Sequence, residues 1–393
     1  MSIEIQVTII IPFKDKPILL ETCLKSILET PDINKTEIIL VDNQSQKSKT
    51  FKTIKYFTDN YHFIKVYKYN HSFNYSKINN FAATISSGQH LLFLNNDTEV
   101  INKFWIRELL KYSKKNNIGA VGAKLLFSNN SIQHIGISFL KGQKPQHLLK
   151  HYDVNSDFPE LLDTSREVAA VTGASLMIKK KVFEQIGGFN EENFPILYND
   201  VDLCFRLSKK GYKNIICHKC LMFHHESQTR GPSKTRLKKV KVDEAFNQLK
   251  LKHPDKFDTD DLHLKPQFKY LLAEGAIGSQ IALENSIKWL KNKVIQNQSL
   301  KIGLYGAGQY SERLLKSDYP FKRSTIYIFD DFSKKKFISK IPVIKVCLDK
   351  IKLLDLIIVA SDTQEDAIIR KLKNLKLSNL SIYCLHSKIV FSL

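Results

Sequence analysis

Residues Val7 to Phe13 read VTIIIPF, a run with no charge and no polar alternation. A continuous apolar and β-branched stretch suits a strand buried on both faces, as in a parallel sheet covered by helices on each side. Lys16 to Glu29 follows with Leu19, Leu20, Cys23, Leu24, Ile27 and Leu28 at helical spacing, and Glu37 to Val41 (EIILV) reads as a second buried strand. Ile64 to Tyr67 is a third, Lys77 to Ser87 reads as a helix closed by Gly88, and His90 to Leu94 (HLLFL) is a fourth strand. This alternation predicts a doubly wound parallel sheet, whose ligands bind beyond the carboxyl ends of the strands. Val168 to Ile178 then reads as a further strand passing Gly173, and Asn199 to Lys209 as a helix closed by Gly211. Ser233 to Lys256 is basic with helical character, and Pro266 to Ile295 reads as a longer helical connector.

A second unit opens at Leu300. KIGLYGAG (301–308) joins a short strand to a glycine turn, Thr325 to Phe329 is another strand ending in Asp330 and Asp331, and Leu356 to Ala360 is a third. The glycines, with an aspartate about 20 residues on, partly match a dinucleotide fingerprint. Ser311 stands where the third glycine belongs, so a scaffold or nucleotide-sensing αβ domain is favoured over redox catalysis.

Bulk properties narrow the remaining choices. Hydrophobic residues make up 43% of the 393, enough for globular cores, and no apolar run approaches the ~20 residues that span a bilayer. The N-terminus lacks the pattern of a signal peptide, and six scattered cysteines fit reduced thiols, so the expected location is cytoplasmic. A formal charge of +21 attracts polyanions: nucleic acid, an anionic membrane surface or phosphate-bearing substrates.

Asp42 and Asp97 each follow the end of a strand expected to be parallel, so both should open onto one crevice. Asp97 suits a divalent cation, since Mg²⁺ or Mn²⁺ takes one or two carboxylates and completes its shell with phosphate oxygens and water.

Seven motifs in order carry a resemblance: IIIPFKDK (10–17), IILVDNQS (38–45), FNYSKINNFAA (73–83), LLFLNNDTEV (91–100), VTGASLMIKKKVFEQIGGFNE (171–191), NDVDLCFRLSKKGYK (199–213) and FHHESQTRG (223–231). Together they resemble family 2 glycosyltransferases, above all the rhamnosyltransferase-like members that assemble bacterial surface polysaccharides. The resemblance covers about residues 5–235 and implies a GT-A fold with a doubly wound mixed sheet over residues 1–235; the rest of the chain reads as a helical extension over 236–299 and a small Rossmann-like domain over 300–393. It also implies an inverting single displacement.

By the same resemblance Asp42 would hold the donor's base or ribose, with Pro12 and Lys14 near the nucleotide and Asn96 at the donor. Asp97 would be the metal-binding aspartate of a DxD-type motif, which reads Asn95-Asn96-Asp97 here with an amide in place of one carboxylate. Asp200 would be the general base, preceded by Asn199 where the family has Glu. Asp202, two residues on, points by helix geometry to another face, toward the acceptor or merely toward solvent, and is assigned to the acceptor. Of His224 and His225, His224 would complete the metal shell; Arg230 would clamp diphosphate oxygens, and Gly173 and Ala174 would leave room for the donor sugar. The implied cofactor is Mn²⁺ or Mg²⁺. The implied partners are a UDP- or dTDP-sugar donor and a glycan or lipid-linked oligosaccharide acceptor, with peripheral contact to the anionic inner membrane face.

Two readings compete. A basic nucleic-acid-binding protein would account for the charge and for Lys234 to Lys241, and an NAD-dependent oxidoreductase for the C-terminal glycines. Neither explains the strand-end aspartates or the ordered motifs, so no specific nucleic-acid partner is expected.

Overall fold

The computed structural model describes residues 5–31, 33–128, 130–150, 152, 154–155, 158–225, 236–272, 290, 299–316, 324–331, 333, 335–361, 365–375, 380–385 and 389–392. The chain divides into two compact units, Met1–Lys150 with Asp157–Leu272, and His151–Ser156 with Ala273–Leu393.

In the first unit, β1 (Val7–Phe13), β2 (Thr36–Asp42), β3 (Ile64–Lys68) and β4 (His90–Leu94) form a parallel array in the order β4-β1-β2-β3. Ile9, Ile10 and Ile11 of β1 have no exposure, which explains the unbroken apolar run. Ile10 belongs to one hydrophobic core and Ile9 and Ile11 to the other, so the sheet is sandwiched. Burying each such side chain contributes about 1.5–3 kcal/mol. Helix α1 (Pro17–Leu28) begins with proline, whose missing N–H is harmless in a first turn. Helix α2 (Ser48–Asn60) connects β2 to β3. Helix α3 (Tyr75–Thr84) is capped by Asn74, whose side chain accepts from the Lys77 N–H at 2.9 Å.

The second half adds antiparallel strands to the parallel array that the alternation predicted. After β5 (Thr98–Val100), α4 (Trp105–Ser113), β6 (Ile118–Leu126) and β7 (Ile132–His134), the ribbon β8 (Ile137–Ser138) and β9 (Gln146–His147) leads through α5 (Pro159–Leu162) to β10 (Arg166–Val168) and β11 (Ser175–Lys179). β11 lies antiparallel between β4 and β6. Helices α6 (Lys180–Gln185) and α7 (Asn199–Lys209) follow, then β12 (Lys213–His224), which runs parallel to β6 and antiparallel to β5 and β10. The result is the doubly wound mixed sheet that the family resemblance implied.

The reading of Val168 to Ile178 as one strand is corrected. The backbone leaves the sheet from residue 169 to 174, and the turn Thr172–Ser175 closes with a 3.3 Å hydrogen bond before β11 begins. Gly88 does not close α3, which ends at Thr84. It packs against the backbone of β1, where an added Cβ would lie 2.4 Å from Thr8 N and 2.7 Å from Val7 C. Gly88→Ala is therefore expected to destabilise the first unit by about 2–3 kcal/mol, because backbone cannot move aside as a side-chain tip can. Urea unfolding of the variant checks this; an unchanged midpoint would show that the strand edge yields.

The first unit runs past residue 235. Helix α8 (Arg236–Lys252) supplies Phe246 and Leu249, and the turn after it Phe257, to the same core as Ile10 and Phe93. Of the expected connector Pro266 to Ile295, the structure describes a 3-10 turn at Pro266–Leu271; residues 273–289 and 291–298 lie outside the described residues.

The second unit is built on β13 (Lys301–Tyr305), β14 (Thr325–Phe329), β15 (Phe337–Ile338), β16 (Ile341–Ile344), β17 (Leu356–Val359), β18 (Ser381–Cys384) and β19 (Ile389–Ser392). Its centre, β16-β14-β13-β17-β18, is parallel. Gly306 turns at φ +114°, where a Cβ would meet Ala360 O at 2.9 Å. Asp330 accepts the Ala307 N–H at 2.7 Å, and Asp331 accepts from the Tyr305 hydroxyl and from Lys371 Nζ at 2.6 Å each. The aspartates after β14 are thus tied to the glycine turn and its neighbours.

Candidate functional site

A cleft of about 330 Å³ opens beyond the carboxyl ends of β1 and β4, as a doubly wound sheet predicts. Pro12 and Lys14 line one part; Asn96, Asp97 and His224 line another; Gly173, Ala174 and Asp200 line a third. Eight of the residues singled out in the sequence therefore meet in one place. Asp42 ends β2 beside Phe13 and is almost fully buried, its Oδ1 accepting the Ser45 N–H at 2.9 Å; its neighbour Asn43 lines the cleft. Arg230 lies outside the described residues.

At the Asp97 end, the chain leaves β4 through Asn95-Asn96-Asp97 and enters β5, which pairs with β12 so that His224 lies opposite Thr98. This pairing brings His224 Nε2 to 3.1 Å from Asp97 Oδ1. His224 Nδ1 is 2.6 Å from Gln133 Oε1, an atom that can only accept, so the ring hydrogen is on Nδ1. In the neutral ring Nε2 then presents a lone pair, approached by Asn95 Nδ2 at 3.2 Å and facing the Asp97 carboxylate. Two electron-pair donors turned toward each other at this spacing fit a shared divalent cation. Among the described residues no group of three or more His, Cys, Asp or Glu side chains could hold a metal alone. A cation here would take its other ligands from substrate and water. His225 is engaged elsewhere, with Glu99 Oε2 and Ser128 Oγ at 2.8 Å each.

Asn96 is 7% exposed and lines the cleft, yet its Nδ2 has no hydrogen-bond partner among the described residues. A buried amide left unsatisfied costs about 1–3 kcal/mol, which a ligand oxygen would recover.

At the opposite wall, Asp200 is in the first turn of α7, after Tyr198 at φ 58°. Its Oδ1 accepts the Val201 N–H at 2.9 Å, the contact that a helix-terminal aspartate would make. Its Oδ2 accepts the Gly173 N–H at 2.8 Å, from the segment that leaves the sheet between β10 and β11. Burial raises the Asp200 pKa above the ordinary carboxylate value, against the lowering effect of hydrogen bonds from Gly173, Val201 and the Thr172 side chain. Tyr75 holds the same segment, its hydroxyl donating to Gly173 O at 2.7 Å, and a Cβ on Gly173 would come within 3.2 Å of that hydroxyl.

Asp202 does not reach the cleft, which corrects its expected place at the acceptor. On a helix it points away from Asp200; its carboxylate pairs with Arg206 Nη2 at 2.8 Å and His253 Nε2 at 2.8 Å. Sequence reasoning missed Gln133, which fixes the His224 tautomer, and His134, which accepts from Thr172. Neither belongs to a motif, and nothing in their spacing marks them.

The glycosyl transferase family 2 profile matches residues 8–187. O-antigen biosynthesis protein RfbC of Myxococcus xanthus is 36% identical over 229 residues, covering 57% of this chain and 18% of the relative. Uncharacterized protein y4gI of Sinorhizobium fredii is 31% identical over 245 residues, covering 62% of this chain and 27% of the relative. The chain thus spans well under a third of the length of these relatives. A 68-residue stretch is 32% identical to an N-acetylglucosaminyl-diphospho-decaprenol L-rhamnosyltransferase of Mycobacterium tuberculosis, covering 17% of this chain and 22% of the relative. Among solved structures, GalNAc-T7 with UDP, GalNAc and Mn²⁺ aligns at TM-score 0.48 and 15% identity, over 56% of this chain and 44% of that one. The mannosyltransferase PcManGT from Pyrobaculum calidifontis, with GDP-Man and Mn²⁺, aligns at 0.44 and 15%, over 72% and 80%.

Proposed function

We propose, from the premise that residues 8–187 are a glycosyl transferase family 2 domain, that this chain transfers a sugar from a nucleoside-diphosphate sugar to a glycan hydroxyl with inversion. The observation that carries the reading is the convergence, in one cleft, of the Asp97–His224 pair with the buried carboxylate of Asp200. Asp97 and His224 would hold a divalent cation, Mn²⁺ or Mg²⁺, which when bound neutralises charge on the departing diphosphate. Asn96 Nδ2 donates to a donor oxygen, and Pro12, Lys14 and Asn43 form the nucleotide end, next to the buried Asp42. Gly173 and Ala174 leave space for the sugar. Asp200 takes the proton of the acceptor hydroxyl as the new bond forms, and its raised pKa suits a base because a more basic carboxylate has more driving force for the transfer.

The experiment is calorimetric titration of the full chain with UDP and with dTDP, with Mn²⁺ and with EDTA. Cation-dependent binding of either supports the reading. Binding of neither, by folded protein, would oppose it, as would salt-sensitive binding of random duplex DNA in its place.

The acceptor we propose is a lipid-linked oligosaccharide, met at an anionic membrane face through the +21 charge. No helix among the described residues is long and apolar enough to cross a membrane. Association with phosphatidylglycerol-containing vesicles should fall as salt rises, because exposed charges are screened over about 8 Å at physiological ionic strength. Salt-insensitive association in a sedimentation assay would point to an apolar contact instead.

A further inference from the structure

The segment that presents Gly173 to Asp200 has lost its place in the sheet, so its backbone groups need other partners. The Thr172 N–H finds one in His134 Nε2, at 3.3 Å. A ring nitrogen that accepts carries no hydrogen, which puts the hydrogen of a neutral His134 on Nδ1. That atom is 2.8 Å from His147 Nδ1, with the rings crossed at 77°. His134 donates across this contact, His147 accepts with a bare nitrogen, and the His147 hydrogen is on Nε2. His134 has no exposure, and burial, together with His147, Arg166 and His224, pushes its pKa well below the ordinary value. Charging the pair is thereby opposed. A second tie runs beside it: the Ile137 N–H donates to Ala170 O at 2.8 Å, and Ile137 pairs with His147 in the β8–β9 ribbon.

We infer that the neutral His134–His147 pair is a positioning strut for Asp200, fixing the Thr172 peptide so that the Gly173 N–H and the Thr172 side chain meet the carboxylate. The inference rests on the proposed role of Asp200 as base. The chain of contacts is continuous: His147 Nδ1, His134, Thr172 N–H, then Gly173 N–H to Asp200 Oδ2 at 2.8 Å. Both histidines are positioning residues, acting through Thr172 and Gly173.

The test compares His147→Leu, which removes the acceptor for His134, with His147→Gln, whose side-chain oxygen retains one; His147 is at the cleft wall, so neither opens a closed core. His147→Leu should lower kcat roughly 10- to 100-fold, the scale on which misplaced reacting groups act, with donor KM unchanged. His147→Gln should stay within about threefold of the parent, since the hydrogen-bond acceptor is kept. Equal losses in both variants, or no loss in His147→Leu, would overturn the strut. A second readout does not need turnover: a carbon-13 carboxyl titration followed by NMR. In His147→Leu the Asp200 midpoint should move upward, because the carboxylate loses a donor that favours its charged form; an unmoved midpoint would overturn the inference. If the parent transfers no sugar, the transferase reading fails while this titration still decides the strut.

Discussion

Asp200→Asn is expected to lower sugar transfer by roughly 10²- to 10⁴-fold, the usual contribution of a positioned general base, while nucleotide affinity with Mn²⁺ stays near that of the parent. The amide keeps the size of the side chain but cannot take a proton from the acceptor. Binding and turnover then separate, because the proposed role of Asp200 is with the acceptor and that of Asp97 and His224 with the cation. The pH dependence follows from the same carboxyl. Burial raises its pKa above the ordinary value, so transfer by the parent should fall on acidification at a higher pH than an exposed aspartate would give. Stability has the opposite sign. A raised folded-state pKa contributes stability that is fully present below the unfolded value and is lost as pH rises through the folded one. Activity thus needs the form that burial disfavours. Transfer rates across pH, with calorimetry on both proteins, check this; near-parental transfer by Asp200→Asn would reduce Asp200 to a helix-terminal acceptor.

Asp97→Asn should act on the other side of the reaction. It removes the carboxylate that faces His224 Nε2 at 3.1 Å, and Asn95 and Asn96 offer only neutral groups in its place. Affinity for the nucleotide in the presence of Mn²⁺ should fall at least about tenfold, with partial recovery at higher Mn²⁺. Asn95→Asp in the parent should do the reverse, by restoring a second carboxylate to the motif. Unchanged metal dependence in Asp97→Asn, measured by calorimetry over a Mn²⁺ series, would mean that other groups hold the cation.

Both aspartates could be found in the sequence because each follows or opens an element with an unmistakable pattern. VTIIIPF and HLLFL are strands with the bounds expected, since residues buried on both faces leave no polar alternation, Thr8 and His90 being their single polar residues. Helix α7 likewise spans Asn199–Lys209 as its spacing implied. Strand β6 was missed because IGAVGAKLL is rich in small residues; the fold needs them, since a Cβ on Gly122 would come within 2.6 Å of Val171. The break between β10 and β11 was hidden for the opposite reason. VAAVTGASLMI is apolar but for Thr172 and Ser175, yet its middle is buried against α3 and α7 outside the sheet. Asp202 was rightly turned to another face of the helix, since two residues rotate a side chain by about 200°, but no pattern showed that this face carries Arg206 and His253 and not the acceptor. Gln133, His134 and His147 make their contacts between strands far apart in the sequence or not paired with each other, and no periodicity in the chain announces such pairs.

The central claim is that this cleft moves a sugar from a nucleoside-diphosphate donor, and one measurement addresses it most directly: nucleoside diphosphate release from UDP-, dTDP- and GDP-sugars by the full chain, with Mn²⁺ or Mg²⁺ and with EDTA. The expected result is turnover of at least one UDP- or dTDP-sugar that stops with EDTA and is nearly absent in Asp200→Asn when an acceptor is supplied. Folded protein that releases nothing from any donor, or releases it equally with EDTA and in Asp200→Asn, would contradict the account.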